Sequence, residues 1–262
     1  MNKKNNSGLK KIYSDNTSGS SDILVELHEH LKKEQKMLEV FPELINEVKI
    51  QFTAFHSVQS YLNELEKVMR SKKRIDNFFE KYDSRLINIY DVIFDKCKTI
   101  LLKHKKFITL SNSKTVFEIF KKLKQSKHDL EVTACESRPK FEGRLLAKKL
   151  ADEGMKINLI TDAGIEQVLD NIDAALIGAD TILKNGNVVN KTGSAILAVL
   201  CKYRSIPFYV VADKNKISNK YKFGQKEMPA DEILRKHHPN IKIENLYFEE
   251  VNRKLITKIF ID

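Results

Sequence analysis

The sequence predicts an α/β protein in which an N-terminal helical domain precedes a parallel sheet domain. Between residues 23 and 103, apolar residues recur at steps of three and four, the period of an amphipathic helix. After Lys106, short apolar runs alternate with helical segments, a pattern typical of a parallel sheet with crossover helices. We therefore expect a helical domain over 23–103 and a sheet domain over 104–262.

The first segment, residues 1–22, is rich in Asn, Ser, Gly and Lys and has few apolar side chains. A segment of this composition buries too little apolar surface to offset the entropy that ordering costs. The sequence therefore predicts a flexible arm ahead of the helical domain.

Two apolar stripes mark the helical domain. One runs from Phe55 to Met69 and the other from Ile75 to Ile100. Pro42 and the segment 71–73 are candidate breaks between helices, which favours an antiparallel bundle. Cys97 lies on the second stripe, so we expect a packed thiol there and not a reactive one.

The sheet domain contains six apolar runs that we interpret as strands: 107–110, 130–134, 156–161, 173–179, 206–212 and 255–261. Helices are predicted in the gaps, at 114–126, 142–153, 163–171 and 193–204. The sequence KNGN at 184–187 predicts a tight hairpin turn, because Asn-Gly tolerates the positive φ that such turns require.

The formal charge of +11 comes from 46 basic residues that are interleaved with 35 acidic ones. Nucleic acid is not favoured as a partner, because no concentrated basic stripe with interleaved aromatics is found. A lysine-rich solvated surface explains the composition, and the positive electrostatic field of such a surface would attract anionic small molecules. A nucleic-acid-binding or ribosome-associated module stays open as an alternative that rests on charge alone.

Three widely spaced cysteines without a CxxC pair indicate neither a disulfide framework nor a zinc site. The histidines lack ligand spacing and are interpreted as surface residues, so no metal and no cofactor are predicted. The chain has no apolar run near the roughly 18 residues that a membrane helix needs. We therefore expect a soluble cytoplasmic protein without membrane association.

Ligands of open parallel sheets bind beyond the carboxyl ends of the strands, so the residues that follow each strand are the candidate site. Arg138, after the second strand, is suited to grip a phosphate, and the amides after Gly193 would add the positive end of a helix dipole. Asp180 is the candidate proton-transfer group, since Gly178 allows a substrate to approach. Ordinary turn and cap chemistry is the alternative for each residue singly. The other candidates at these ends are Ser111, Ser113, Asn190 and Lys191.

The segments CESRPKFEGRLLAKKL and DNIDAALIGADTILKNGNVVNKTGSAILAVLCKYRSIPFYVVAD resemble a known superfamily. It joins the α, β and δ subunits of translation initiation factor 2B to methylthioribose-1-phosphate isomerase and ribose-1,5-bisphosphate isomerase. The resemblance covers roughly residues 75–262. It implies a Rossmann-like domain behind an N-terminal helical domain, assembled as a homodimer or larger oligomer.

The resemblance also implies roles for individual residues. Arg138 inherits the phosphate contact, Asp180 matches the catalytic aspartate, and Asn190 with Lys191 matches the substrate-binding pair. The catalytic cysteine of the isomerases falls at Ser111, whose hydroxyl has a far higher pKa than a thiol and no adjacent histidine in the sequence. Cys135 belongs to another motif and inherits no role. The N-terminal R-G-A phosphate element of the isomerases has no counterpart in residues 1–75.

These residues predict a sugar-phosphate-binding protein similar to the initiation factor 2B subunits, with isomerase chemistry weakened or lost. The alternative is an active aldose-ketose isomerase on a ribose 1-phosphate, of the ribose 1,5-bisphosphate or methylthioribose 1-phosphate type. In that case Asp180 would be the acid/base, and Ser111 or water would replace the thiol. Both hypotheses name a phosphorylated sugar as the partner.

Overall fold

The computed structural model describes residues 6–15, 19–40, 43–53, 55–71, 74–126, 129–225, 227–236 and 238–262. Its N-terminal part is helical, with α1 (Asn6–Ser14), α2 (Ser20–Lys33), α3 (Gln35–Val40), α4 (Glu43–Gln51), α5 (His56–Arg70) and α6 (Ile75–Leu101). One apolar cluster joins these helices and includes Leu27, Leu62 and Phe79. Of the two predicted helix breaks, Pro42 lies outside the described residues, and so do residues 72–73 of the second, whose Ser71 directly follows the end of α5.

The predicted flexible arm differs from the structure in its described part. Residues 6–14 form α1, whose Leu9 and Ile12 are buried in the helical cluster. The physical reason is spacing, because two apolar residues three apart share one face of a helix even in a polar segment. The domain boundaries at residues 22 and 103 stay a prediction.

A six-stranded parallel sheet forms the second part, in the order β3-β2-β1-β4-β7-β9. Its strands are β1 (Lys106–Thr109), β2 (Glu131–Cys135), β3 (Lys156–Ile160), β4 (Ala174–Ile177), β7 (Phe208–Ala212) and β9 (Lys258–Ile261). The helices between them are α7 (Lys114–Ser126), α8 (Glu142–Asp152), α9 (Ile165–Val168) and α10 (Ser194–Tyr203). The predicted α/β class with a parallel sheet is confirmed.

A small antiparallel sheet lies beside the large one, in the order β5-β6-β8. Its strands are β5 (Thr181–Ile182), β6 (Val188–Lys191) and β8 (Phe248–Val251). The first two are the arms of the predicted KNGN hairpin, in which Gly186 has a φ of 83°. The predicted helix at 163–171 is instead one turn of α-helix between 3-10 turns at Asp162–Gly164 and Leu169–Asn171. Further 3-10 turns lie at Lys214–Lys216, Ala230–Glu232 and Arg253–Leu255.

Helix α6 belongs to both parts of the molecule. Its first half packs in the helical cluster through Phe79 and Tyr82, and its second half packs on the sheet through Ile93 and Cys97. Cys97 is buried, which confirms the predicted packed thiol, and burial raises the pKa of that thiol to about 12. In the described part of the chain, no helix has both the length and the hydrophobicity that a bilayer crossing requires.

His28 corrects the interpretation of the histidines as surface residues. Its ring is buried, with Nδ1 3.0 Å from the Tyr61 hydroxyl and Nε2 2.9 Å from Asp83 Oδ1. A tyrosine and a carboxylate satisfy both ring nitrogens, and that is what allows an imidazole to be buried. His28 is therefore a structural residue of the helical part.

Candidate functional site at the sheet rim

The loops that follow β1, β2 and β3 hold one another at the carboxyl ends of the strands. The amide of Ser111 donates to Ser137 Oγ at 2.7 Å. The amides of Ser137 and Arg138 then donate to the two carboxylate oxygens of Asp162, at 2.8 and 2.7 Å. Asp162 therefore fixes the backbone of the loop that carries Arg138.

Two glycines allow close approaches at this rim. A Cβ on Gly143, in the first turn of α8, would lie 1.8 Å from the carbonyl oxygen of Cys135. A Cβ on Gly178 would lie 2.4 Å from Ser113 Oγ. The second contact brings Ser113 against the segment that leads from β4 to Asp180.

Asp180 receives a hydrogen bond from a residue far away in the chain. Ser20, at the start of α2, donates its hydroxyl to Asp180 Oδ1 at 2.8 Å. Burial raises the pKa of the Asp180 carboxyl, against the opposing effects of Lys216, the Ser20 hydroxyl and Lys191. A carboxyl with a raised pKa is better suited to proton transfer near neutral pH than an ordinary one.

Lys191 is buried and paired. Its ammonium lies 2.6 Å from Glu142 Oε1 and 4.1 Å from the centre of the Tyr247 ring. Burial raises the pKa of Glu142, although Lys191 acts in the opposite direction. Lys191 therefore reaches the site as one half of a buried ion pair.

The N-terminus of α10 differs from the predicted anion-binding position. The amides of Gly193 and Ala195 both donate to Glu249 Oε1, at 2.8 and 2.7 Å. Asn190 is turned toward the same helix, where its amide donates to Ser194 Oγ at 2.9 Å. The Glu249 carboxylate thus accepts hydrogen bonds from the amides that the sequence predicts to bind a ligand.

Arg138 is exposed, with its guanidinium 4.9 Å from the centre of the Phe141 ring. Arg144 packs on the same ring at 3.9 Å, but it also pairs with Glu136 at 2.5 Å. Among the described carboxylates, none forms an ion pair with Arg138. Its charge is therefore available to an anion.

Ser111 and Cys135 differ in how accessible their side chains are to solvent. Ser111 is partly exposed and adopts a φ of 67°, which few residues other than glycine adopt. Cys135 is buried, and burial raises the pKa of its thiol to about 12. The thiol of Cys135 is therefore shielded from solvent and disfavoured as a thiolate, whereas Ser111 is partly accessible.

Sequence reasoning missed five residues at this rim: Ser20, Glu142, Lys216, Tyr247 and Glu249. Lys216 could have been found, since it closely follows β7 and the rule of carboxyl ends applies to it. The others come from helix starts or from the small sheet, and no local pattern marks them. No three His, Cys, Asp or Glu side chains in the described ranges come together as a metal site.

Comparisons with known proteins agree with this architecture. The chain is 28% identical to ribose 1,5-bisphosphate isomerase of Archaeoglobus fulgidus over 219 residues, which are 80% of this chain and 67% of that protein. It is 36% identical to a translation initiation factor eIF-2B subunit 2-like protein of Pyrococcus furiosus over 152 residues, 58% of this chain. The second match spans only about half, 54%, of that relative.

Solved structures show the same fold. The translation initiation factor eIF-2B of Pyrococcus horikoshii superposes with a TM-score of 0.81 at 25% identity, covering 99% of this chain and 95% of that one. The tetrameric eIF2B-beta2-delta2 complex of C. thermophilum has a TM-score of 0.79 at 13% identity, with 97% and 90% covered, which shows a shared fold alone. The model of the Initiation factor 2 subunit family matches residues 6–262, and the chain belongs to that family.

Proposed function

We propose that this protein binds a phosphorylated sugar at the sheet rim and that the isomerase chemistry of some relatives is weakened or lost in it. One observation carries the proposal. Hydrogen bonds join the loops after β1, β2 and β3, which carry Ser111, Arg138 and Asp162, and Ser113 lies close to Gly178, two residues before Asp180. A basic, hydroxyl-lined rim of this kind suits a phosphate and sugar hydroxyls.

Arg138 holds the phosphate in this proposal. Its guanidinium is exposed and stacked on Phe141, and the loop amides beside it are fixed by Asp162. Asp180 faces the reacting carbons of the sugar, while Asn190, Lys191 and Ser113 contact its oxygens. Gly193 contributes only the turn that begins α10, because Glu249 takes its amide.

The proposed weakening of isomerase chemistry follows from the serine at position 111. Proton exchange between two carbons of a sugar needs a group that gains and loses a proton near neutral pH, and an unactivated hydroxyl does so poorly. Asp180 supports the alternative, an active isomerase, because its raised pKa favours proton transfer. The two functions share a site and differ in turnover.

Calorimetry with ribose 1,5-bisphosphate and methylthioribose 1-phosphate tests the binding proposal. We expect Arg138→Ala to weaken binding by at least about tenfold, the loss of one charge-assisted contact. Arg144→Ala is the matched control, since Arg144 packs on the same ring but pairs with Glu136, and we expect it to bind normally. Equal binding by wild type and Arg138→Ala would refute the phosphate assignment.

NMR of the same mixtures separates the two functions. Ligand shifts without ketose signals support the binding protein, and ketose signals at enzymatic rates show the isomerase instead. If Ser111 limits the chemistry, Ser111→Cys should increase turnover over wild type. No gain, with binding intact, would mean that Ser111 is not the limiting residue.

Assembly and location form part of the proposal. The C. thermophilum relative is a tetrameric complex. By analogy we propose that the protein forms a homodimer or larger oligomer and is located in the cytoplasm. Light scattering of the purified chain tests the oligomeric state. Binding of nucleic acid would instead weaken steeply with salt and would not respond to Arg138→Ala.

A further inference from the structure

The Glu142–Lys191 ion pair is enclosed within the rim. The two side chains are 10% and 3% exposed, and Lys191 Nζ lies 2.6 Å from Glu142 Oε1. The ring of Tyr247 covers the ammonium at 4.1 Å. Lys191 therefore has a carboxylate on one side and an aromatic face on another.

This pair has no net charge to offer an incoming anion. A phosphate placed at Lys191 would lie beside the Glu142 carboxylate, in a region where little water screens the repulsion. The ammonium would then have to serve two anions. Lys191 therefore suits a hydroxyl better than a second phosphate.

Glu142 differs from the other carboxylates of the rim. Asp162 uses both oxygens as acceptors of loop amides, and Glu249 Oε1 accepts two amides of α10. Glu142 Oε2 is buried and has no hydrogen-bond partner among the described residues. A buried unpaired oxygen is unfavourable, so a further anion next to it is disfavoured more strongly than next to a solvated carboxylate.

Arg138 provides the contrast. It is exposed, and its cation has no carboxylate partner in the described ranges, whereas Lys191 is neutralised. Both belong to the rim, yet only the first is free for a phosphate. Arg138 is therefore suited to bind a phosphate, whereas Lys191 is not.

We propose that Glu142 is a specificity-determining residue: it occupies Lys191 so that the rim accepts one phosphate, at Arg138, while the Lys191 side receives an uncharged hydroxylated part of the sugar. The inference rests on the proposed function and defines the ligand as a sugar monophosphate and not a bisphosphate. Glu142 acts through Lys191 and needs no contact with the ligand.

Calorimetry with ribose 1-phosphate and ribose 1,5-bisphosphate tests it. For the wild type we expect the two dissociation constants to agree within about threefold, because Glu142 already neutralises Lys191. In Glu142→Gln, Lys191 is released, and the bisphosphate should bind at least about tenfold tighter than the monophosphate. Glu153→Gln is the matched control, a carboxylate at the opposite end of α8 whose partner is Lys121, and should match the wild type.

The double variant Glu142→Gln/Lys191→Gln should lose the gain, because the released ammonium is gone. If circular dichroism shows Glu142→Gln to be unfolded, Glu142→Asp keeps the charge, withdraws it from Lys191 and should shift the ratio toward the bisphosphate by about threefold. A wild type that already prefers the bisphosphate tenfold, or a folded Glu142→Gln with an unchanged ratio, would overturn the inference. Failure of the proposed function is distinct: neither sugar would bind, or both would bind Arg138→Ala normally.

Discussion

Asp180 illustrates, at the scale of a single residue, how a carboxyl of the candidate site can lower stability. Burial raises its pKa, so the folded protein holds the proton more tightly than the unfolded chain. The stability that this group contributes is therefore lost as the pH rises above the ordinary Asp value of 3.8. Ionisation of Asp180 therefore lowers the stability of the folded protein.

Asp180→Asn should therefore raise the free energy of unfolding at pH 7, by roughly 0.5–2 kcal/mol. The amide cannot ionise and keeps an oxygen that accepts the Ser20 hydroxyl. Thermal unfolding at pH 7 and pH 4 measures the effect, and the gain over wild type should shrink at the lower pH. Asp129→Asn, at an exposed aspartate, is the control and should change nothing. A variant less stable than wild type at pH 7 would contradict the burial argument.

The three cysteines give a second prediction at this scale. Burial raises the pKa of each thiol from 9.0 to about 12. At pH 8 this lowers the thiolate fraction by roughly a thousandfold, and only the thiolate reacts. We expect a thiol reagent to label the folded protein at least about a hundredfold more slowly than the urea-unfolded chain. Rapid labelling of Cys135 in the folded state would show that the Arg138 loop opens.

At the scale of elements, the rim depends on how closely α8 approaches β2. A Cβ on Gly143 would lie 1.8 Å from the backbone oxygen of Cys135, so either the helix or the loop must move. Gly143→Ala should therefore destabilise the protein by about 1–3 kcal/mol and weaken the proposed binding of a sugar phosphate. Urea denaturation and calorimetry measure the two effects.

Gly224→Ala is the matched control, because nothing lies within 4 Å of a Cβ there. We expect it to be neutral or stabilising by about 0.4–1 kcal/mol, through the unfolded chain. A Gly143→Ala variant as stable as Gly224→Ala would mean that the approach of α8 to β2 is not a constraint.

The elements also show what the sequence could predict. The helix predicted at 114–126 is observed as Lys114–Ser126, and each of the six predicted strands overlaps an observed one. These elements have strong apolar patterns of their own. Strand β5 has two residues and β8 pairs with β6 across a long loop, so neither carries enough local signal.

For the candidate site, the rule of carboxyl ends selected the residues but not their partners. It placed Ser111 and Arg138 at one rim, where Ser137 and Asp162 link their loops. The pairing of Asp180 with Ser20, 160 positions away, depends on how the helices pack on the sheet. The ion pair between Glu142 and Lys191 likewise depends on packing.

At the scale of the whole molecule, Arg85 joins the helical part to the rim. From α6 it donates to Asn215 Oδ1 at 2.6 Å and pairs with Asp213 and Asp262 at 3.5 and 3.4 Å. Both carboxylates are buried at the ends of β7 and β9. One guanidinium thus pairs with carboxylates that follow two strands, one of which Lys214 also pairs, and connects them to the helix that packs in both apolar clusters.

Arg85→Met keeps the aliphatic stem and removes the charge, which leaves the buried carboxylate of Asp213 without its cation, whereas Asp262 keeps its ion pair with Lys214 at 3.4 Å. Removing one partner of a buried ion pair costs about 3–5 kcal/mol, and we expect a loss of this size in the urea-unfolding free energy. Arg70→Met removes an exposed arginine that pairs with Glu66 one turn away, and it should cost less than about 0.5 kcal/mol. Equal losses in the two variants would mean that the helical part and the rim are held together by apolar packing, without a contribution from Arg85.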